Sequence, residues 1–248
     1  MKLKEATFRF YEELNDFLPE TKKKARFVYY FKGKPTVKDA IQAIGIPHVE
    51  VDLILLNGHS VTLDAHLNNN DDVSVYPVFE TFDISGITRL RPEPSREPMF
   101  ILDVHLGKLA KYLRFLGFDT LYRNDYHDHQ IVKIAKVEKR IVLTRDTGIL
   151  KIDEVQRGYF LRSKDPLEQV KEITEHFQLA SKFRPFTRCS ACNGKMKKVK
   201  KEEIVDHLEP LTRVHFDEFY RCGECGKIYW KGSHYVKIKQ FIEGLSDV

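Results

Sequence analysis

The sequence predicts an α/β protein built from three successive parts, and three observations support that prediction. Residues 1–83 contain several apolar, strand-like runs and one helix, which is typical of a small α+β domain. From Met99 to about Ala180 strands and helices alternate, which predicts a parallel sheet covered by helices. The last part, residues 181–248, contains all four cysteines of the chain. A chain of 248 residues is long enough for one to three domains.

The first part is expected to combine strands with a single capped helix. Thr36 is a suitable N-cap for a helix over residues 36–43, because the apolar residues that follow it share one helical face. The dipeptide Asn57-Gly58 predicts a tight turn between two apolar runs. The predicted strands are Thr7–Tyr11, Arg26–Phe31, Val51–Leu56 and Val73–Val78.

A proline-rich linker is expected between the first and middle parts, over residues 84–98. It contains Pro92, Pro94 and Pro98 and has no apolar period. Proline lacks an amide donor and restricts the residue before it, so this segment should be extended and exposed.

The middle part is expected to alternate strands and helices. An apolar stripe at helical spacing predicts a first helix that ends at Gly117. Asp128 begins a second helix, and Asp165 is the expected N-cap of a third, with Pro166 in its first position. The predicted strands are Met99–Leu102, Thr120–Tyr122, Ile141–Leu143 and Tyr159–Leu161.

The cysteines form two C-x2-C pairs, Cys189–Cys192 and Cys222–Cys225, with 29 residues between the pairs (222−192−1). Two such turns can present four thiolates to one ion in the tetrahedral geometry that zinc accepts. Four thiolates leave no open position, so the predicted zinc site is structural. A redox dithiol and an iron–sulfur cluster are the competing interpretations. Gly194 and Gly226 follow the pairs, where such a turn often needs a positive φ.

The excess positive charge of the chain is concentrated in the part that contains the cysteines. Residues 181–248 carry 14 Lys and Arg against 9 Asp and Glu, whereas residues 1–180 carry 27 of each. A basic patch is typical of nucleic-acid binding, and a merely solvated lysine surface is the alternative. No apolar run approaches the roughly 18 residues of a membrane span. Because a signal peptide is also not evident, we expect a cytoplasmic protein that does not bind membranes.

Three aspartates lie where a parallel α/β sheet collects functional groups. Asp103 ends the first strand of the middle part, Asp146 follows its third strand, and Asp128 begins a helix. Converging carboxylates hold Mg²⁺ or Mn²⁺, which activate water and stabilise the charge that develops on phosphorus. The structural alternatives are an N-cap for Asp128 and turn positions for the other two. An aspartyl-phosphate mechanism fits less well, because Asp103 is followed by Val104-His105 and no Asp-x-Asp is formed.

Ordered motifs extend along residues 99–240. They are Phe100 to Asp119, then Asp128, then Arg140 to Asp146, then the two cysteine pairs with Phe219 to His234. This series resembles the PIN-like ribonuclease family named for the C-terminal domain of a mutator exonuclease. The resemblance implies a PIN-like parallel-sheet nuclease domain over residues 99–180, followed by a C-terminal zinc ribbon and helix over residues 181–248.

The first part resembles a second kind of domain. The run Leu55-Leu56-Asn57-Gly58 and the segment Asp71 to Pro77 are similar to sulfur-carrier proteins, which have a ubiquitin-like β-grasp fold. A β-grasp domain over residues 1–83 is therefore expected in front of the nuclease. Sulfur carriers end in a Gly-Gly that is activated, and none occurs near residues 83–86. A binding or scaffold role with an unidentified protein partner is therefore favoured over sulfur transfer.

The resemblance to the nuclease family implies roles for the acidic residues. Asp103, Asp128 and Asp146 fall on its acidic positions, so they are expected to be catalytic and to bind Mg²⁺ or Mn²⁺. Many PIN nucleases carry a further acidic residue after the last of these, where this chain has Thr147 and Gly148.

The expected substrate is RNA, with tRNA and ribosomal RNA as candidates. Tyr229 and Trp230 are expected either to stack a base or to pack around the zinc turn. Arg114 is expected either to contact phosphate or to cover the surface of its helix. The complete prediction is a metal-dependent endoribonuclease; a non-catalytic RNA-binding or ribosome-associated module and a sulfur-carrier-like protein are the alternatives. The expected RNA contacts are Arg145, Arg114, Lys197, Lys198, Arg221 and Lys231.

Overall fold

The structure is a computed structural model that describes residues 2–77 and 97–246. The linker predicted for residues 84–98 lies outside the described residues except for its last two positions. Among the residues that are described, no helix is both long enough and apolar enough to cross a membrane.

The chain divides into two compact units, and each unit draws on two stretches of sequence. One comprises Met1–Ser95 with His127–Phe160, and the other comprises Arg96–Tyr126 with Leu161–Val248. Both mix helices with strands, as the predicted α/β class requires. The domain boundaries proposed from the sequence remain predictions.

A five-stranded sheet with one helix forms the N-terminal part of the first unit. Its strands follow the order β2-β1-β5-β3-β4 once the elements are numbered along the chain. Strands β1 and β5 are parallel, and the other neighbouring pairs are antiparallel. The elements are β1 (Lys4–Phe10), β2 (Phe27–Phe31), α1 (Val37–Ile44), β3 (Val51–Leu56), β4 (His59–Ser60) and β5 (Asp71–Pro77).

Local sequence explains the helix start and the hairpin of this sheet. The Thr36 hydroxyl accepts the Asp39 N–H at 3.1 Å, and the Asp39 carboxylate accepts the Thr36 N–H at 2.8 Å, so the predicted N-cap is confirmed. Asn57 and Gly58 have φ values of 51° and 82°, which close β3 onto β4 in the predicted tight turn. Strand β4 was not predicted, because two exposed residues have no apolar pattern.

The remaining elements alternate strand and helix before a second, antiparallel sheet. They are β6 (Met99–Leu102), α2 (Gly107–Phe115), β7 (Asp119–Leu121), α3 (Asp128–Glu138), β8 (Ile141–Thr144), α4 (Thr147–Leu150), β9 (Gly158–Phe160), α5 (Pro166–His176), β10 (Met196–Val199), α6 (Pro210–His215), β11 (Phe219–Cys222), β12 (Ile228–Trp230) and α7 (Ser233–Ser246).

Strands β8 and β9 form a parallel pair in the first unit. Helix α4 lies between them in sequence and contacts both, while α3 contacts β8. The segment from the end of α4 to β9 is held by the N-terminal sheet domain. Gln42 Nε2 donates to the Lys151 carbonyl at 2.8 Å. The Glu50 carboxylate, in a residue only 2% exposed, accepts the Phe160 N–H at 2.6 Å, and the Phe17 ring meets the Phe160 ring edge-on at 5.3 Å.

The second unit contains a parallel pair, β6 and β7, with α2 packed against β7 and α5. The Phe100 ring from β6 contacts Phe118 and Phe177 at centroid distances of 5.8 and 5.9 Å. Helix α7 lies against α2 through Tyr112 and Phe241, whose ring centroids are 5.5 Å apart. Strands β10, β11 and β12 form an antiparallel sheet with its own small core around Phe219, Ile204 and Leu208.

Candidate functional site

The four cysteines converge on one point, as predicted. Cys189 Sγ lies 3.7 Å from Cys225 Sγ, and Cys192 Sγ lies 3.4 Å from Cys222 Sγ. All four sulfurs lie within 4.8 Å of one another. Zinc–sulfur bonds of about 2.3 Å in a tetrahedron place the sulfurs roughly 3.8 Å apart. The cluster is therefore compatible with a structural zinc ion.

The two cysteine turns have matching backbones. The residue four positions after the first cysteine of each pair has a φ of 73°; it is Asn193 in one turn and Gly226 in the other. The expectation that Gly194 supplies a positive φ is therefore wrong. Gly194 is needed for another reason, since a Cβ there would lie 2.8 Å from Cys222 Sγ and 2.5 Å from Glu224 Cγ. The absence of its side chain lets the second turn approach the first.

The thiol pKa values reflect this crowding. Burial alone would raise the pKa of Cys189, but hydrogen bonds from the Tyr229 hydroxyl and from the Cys192 and Ala191 amides lower it to about 7. Burial raises the pKa of Cys192 to about 12. Such opposed shifts are expected of sulfurs packed together, because a bound cation is needed before all of them can ionise.

Arg114 anchors the first cysteine turn to helix α2. Its residue is 3% exposed, and its guanidinium donates to the Thr120 carbonyl at 2.9 Å, the Ser190 carbonyl at 3.1 Å and the Ala191 carbonyl at 3.0 Å. Ser190 and Ala191 are the two residues between Cys189 and Cys192. This burial favours the structural role of Arg114 over the predicted contact with RNA phosphate.

Asn193 and Asp119 form a second link to the same turn. The Asn193 side chain accepts the Thr120 N–H at 2.9 Å and donates to the Asp119 carboxylate at 2.9 Å. Asp119 also forms an ion pair with Arg188 at 2.9 Å. This network was not predicted from the sequence. The sequence signal that could have indicated it is an asparagine directly after a C-x2-C pair, because asparagine tolerates a positive φ.

Each predicted catalytic aspartate lies at the end of a strand or the start of a helix. Asp103 follows β6, is 6% exposed, and accepts the Val104 N–H at 2.5 Å. Asp146 follows β8 after Arg145, is exposed, and accepts the Gly148 N–H at 2.7 Å through one of its two oxygens. Asp103 belongs to the second unit and Asp146 to the first.

Asp128 is the first residue of α3, so the structural alternative, in which it is the N-cap, is wrong. His127 is the N-cap, and its N–H is taken by the Gln130 side chain at 2.9 Å. The Asp128 carboxylate is exposed, and no hydrogen bond or ion pair engages it within the described part of the chain. Helix capping therefore does not occupy this side chain.

The aspartates differ from the cysteines in one respect. The cysteines form a group of potential metal ligands whose sulfur atoms lie within 4.8 Å of one another. Asp103 belongs to the second unit, whereas Asp128 and Asp146 belong to the first. Their binding of Mg²⁺ or Mn²⁺ remains a prediction.

The basic residues of the ribbon fall into two classes. Lys197 and Arg221 are exposed, lie opposite each other on β10 and β11, and have no ionic partner among the described residues. Lys198 and Lys231 both form ion pairs with Glu218, at 3.0 and 2.5 Å. Hydrogen bonds from Lys231, the largest cause, from Lys198 and from the Tyr220 hydroxyl lower the pKa of Glu218 to about 2.

A cleft of about 660 Å³ lies beside the ribbon in the second unit. Trp230 is 38% exposed in its wall, and Lys227 lies 5.6 Å above the Tyr229 ring. The Tyr229 hydroxyl lies 3.0 Å from Cys189 Sγ, so this ring packs on the metal site while Trp230 remains accessible. The cleft combines aromatic faces with cations; its lining includes Phe186, Tyr220, Tyr229, Trp230, Tyr235 and Lys227.

Comparison with known protein families identifies both halves of the chain. Residues 98–242 match the Mut7-C RNAse domain, and residues 3–83 match the Mut7-C ubiquitin domain. The first match covers more than half of the chain. No curated protein and no solved structure matched the chain. The chain belongs to the Mut7-C RNAse domain family, with the family's ubiquitin-like domain in front of the RNase domain.

Proposed function

We propose that the protein is a metal-dependent endoribonuclease whose middle domain is PIN-like. The observation that carries this proposal is the position of Asp103 and Asp146, each at the carboxyl end of a parallel strand in an RNase-family chain. Functional groups of parallel α/β sheets collect at that end. With Asp128 at the start of α3, these residues are the proposed acidic set.

The donor chemistry of these residues fits Mg²⁺ or Mn²⁺. Carboxylate oxygens are the ligands that hard divalent cations prefer. Asp146 is anchored through one oxygen, which leaves the other available, and the Asp128 carboxylate is unengaged within the described residues. When bound, such a cation activates water and offsets the charge that develops on the phosphate oxygens. The backbone bonds at Asp103 and Asp146 orient their carboxylates in advance.

The zinc ribbon is the proposed RNA-holding element. Like charges placed directly opposite each other on paired strands are unfavourable, so the Lys197–Arg221 pair suits a bound anion. Exposed Trp230 and the neighbouring lysines suit a stacked base with its phosphate. Arg145, partly buried after β8, and the ion-paired Lys198 and Lys231 complete the proposed contacts.

Cleavage of a structured RNA during a Mn²⁺ titration tests the proposal. We expect Asp103→Asn and Asp146→Asn proteins to fall to the activity of the metal-free wild type, because each loses a proposed ligand. Asp206→Asn is the matched control, since Asp206 is exposed, outside the proposed set and without a partner among the described residues. Equal cleavage by all four proteins would refute the assigned site.

The same titration addresses the alternatives. If no protein cleaves any RNA while tight, salt-dependent binding persists, the chain is a non-catalytic RNA-binding or ribosome-associated module. A sulfur-carrier-like function would require an activated C-terminal Gly-Gly, and the run Asp83-Ile84-Ser85-Gly86 has none.

A further inference from the structure

A second cleft, of about 570 Å³, lies in the second unit beside the residue that follows Asp103. We call it the lysine cleft. Its lining includes Val104, His105, Lys108, Lys111, Lys164 and Gln169. None of its lysines was among the RNA contacts expected from the sequence.

The lysine cleft carries three positive charges that form no ion pair among the described residues. Lys108, Lys111 and Lys164 are exposed, and none has an ion pair or hydrogen bond among the described residues. The nearest carboxylate in sequence is that of Asp165, whose Oδ1 accepts two backbone N–H groups of α5, including that of Leu167 at 2.9 Å. Asp165 thus caps a helix and pairs with no lysine.

Hydrogen bonds hold the residues that line the cleft in place. Gln169 is 4% exposed, and its Nε2 is fixed on the Ser163 carbonyl at 3.0 Å. The Tyr122 hydroxyl donates to the Val104 carbonyl at 2.9 Å. A Cβ at Gly107 would lie 2.7 Å from that hydroxyl, so a larger residue there would displace the Tyr122 ring. These bonds fix the turn that connects Asp103 to the cleft.

We propose that the lysine cleft binds the phosphodiester backbone of RNA next to the bond that is cleaved. Ammonium groups are compact charges that suit phosphate oxygens, and three of them without partners gather at one cavity. Val104, the residue after Asp103, lines the cavity, so phosphates bound there are expected near the Asp103 carboxylate. The start of α2 in the same wall, at Gly107, adds the positive end of a helix dipole. The inference rests on the proposed nuclease function.

Fluorescence anisotropy with a labelled single-stranded RNA of about 12 nucleotides tests the proposal. All proteins are full-length, zinc-loaded and carry Asp146→Asn, so that the RNA stays intact. The test variant adds Lys108→Gln with Lys164→Gln. The matched control adds Lys32→Gln with Lys34→Gln, two exposed lysines of the N-terminal sheet domain. Zinc content and melting temperature confirm that each protein is folded.

Each lost phosphate contact on a single strand reduces the slope of log K against log salt by about 0.7. Two lost contacts therefore reduce the slope by about 1.4 and weaken binding roughly 25-fold near 0.1 M salt. The control is expected to bind like the parent. Equal affinity and equal slope for both double variants would overturn the proposal. Single-stranded DNA should show the same loss, because phosphate contacts do not read the sugar; a loss confined to RNA would contradict a phosphate site.

Cleavage by proteins that retain Asp146 separates this inference from the nuclease proposal. If no cleavage occurs but the test variant binds RNA about 25-fold less tightly, the proposed nuclease function is refuted and the proposed phosphate binding by the lysine cleft is supported. If cleavage occurs and the lysine variants bind and cleave RNA like the control, the proposed phosphate binding by the lysine cleft is refuted and the proposed nuclease function is supported.

Discussion

Replacing Arg114 with methionine should loosen the zinc turn and destabilise the second unit. Methionine keeps a long apolar side chain in the buried site but removes the guanidinium that donates to the Thr120, Ser190 and Ala191 carbonyls. A hydrogen bond to a charged group contributes about 1.5–3 kcal/mol. Burial opposes the charged form and lowers the pKa of Arg114, and we take the lower value for each bond. Three such bonds at the lower value amount to about 4.5 kcal/mol of unfolding free energy.

This loss is large enough to measure in two ways. At about 2–4 °C per kcal/mol for a chain of this length, the melting temperature should fall by roughly 9–18 °C. Because two of the lost bonds hold residues between Cys189 and Cys192, zinc affinity should also fall, by about 10–100-fold as for other outer contacts of metal sites. Zinc release to a chelator, followed with a colorimetric indicator, measures the second effect.

Arg123→Met provides the matched control. Arg123 loses the same charge, but its side chain is exposed and pairs with an equally exposed Asp125. We expect its melting temperature and zinc release to match the wild type. If Arg114→Met and Arg123→Met behave alike in both measurements, the anchoring role of Arg114 is refuted.

Three further predictions follow from other contacts. Gly194→Ala should lower the zinc content, because its Cβ would lie 2.8 Å from a ligand sulfur, whereas Gly223→Ala, with 3.8 Å to its nearest neighbour, should retain zinc; equal zinc in both would contradict the close approach. Glu50→Ala should lower the free energy of unfolding by about 1–3 kcal/mol, because it leaves the Phe160 N–H unpaired. Hydrogen exchange at the Phe160 amide should therefore accelerate. Unchanged protection would show that another acceptor takes over. The Glu218 carboxylate should titrate in NMR with a pKa of about 2. Its contribution to the stability of the ribbon is therefore complete above about pH 4.5 and is lost as the pH falls through 2. An ordinary glutamate pKa would disprove its two lysine bonds.

Features that depend on local sequence were predictable. The strands Met99–Leu102 and Val51–Leu56 are confirmed with identical bounds, because short apolar runs between turn signals define buried strands. The caps at Thr36 and Asp165 are confirmed because capping needs only neighbouring residues. The zinc cluster is confirmed as a geometry because C-x2-C spacing fixes both sulfurs of each turn.

Features that depend on tertiary contacts were not predictable. The sequence predicts that Arg114 lies on a helix. It does not predict that the guanidinium donates hydrogen bonds to carbonyls 76 and 77 residues away. It also does not distinguish the N-cap from the first helical residue at Asp128, since both positions favour acidic side chains. The lysine cleft was missed for the same reason: Lys108 and Lys164 are far apart in sequence and were not read as one site.

The contact between Glu50 and Phe160 changes what a truncated protein should do. Strand β9 is an edge strand that pairs with β8 on one side. In the N-terminal domain, Glu50 accepts the N–H of Phe160, the last residue of β9, and Phe17 covers the Phe160 ring. Removing that domain would leave an open strand edge beside an uncovered aromatic ring, a combination that promotes pairing between molecules. We therefore expect the ubiquitin-like domain to limit aggregation, and an RNase half produced alone to self-associate.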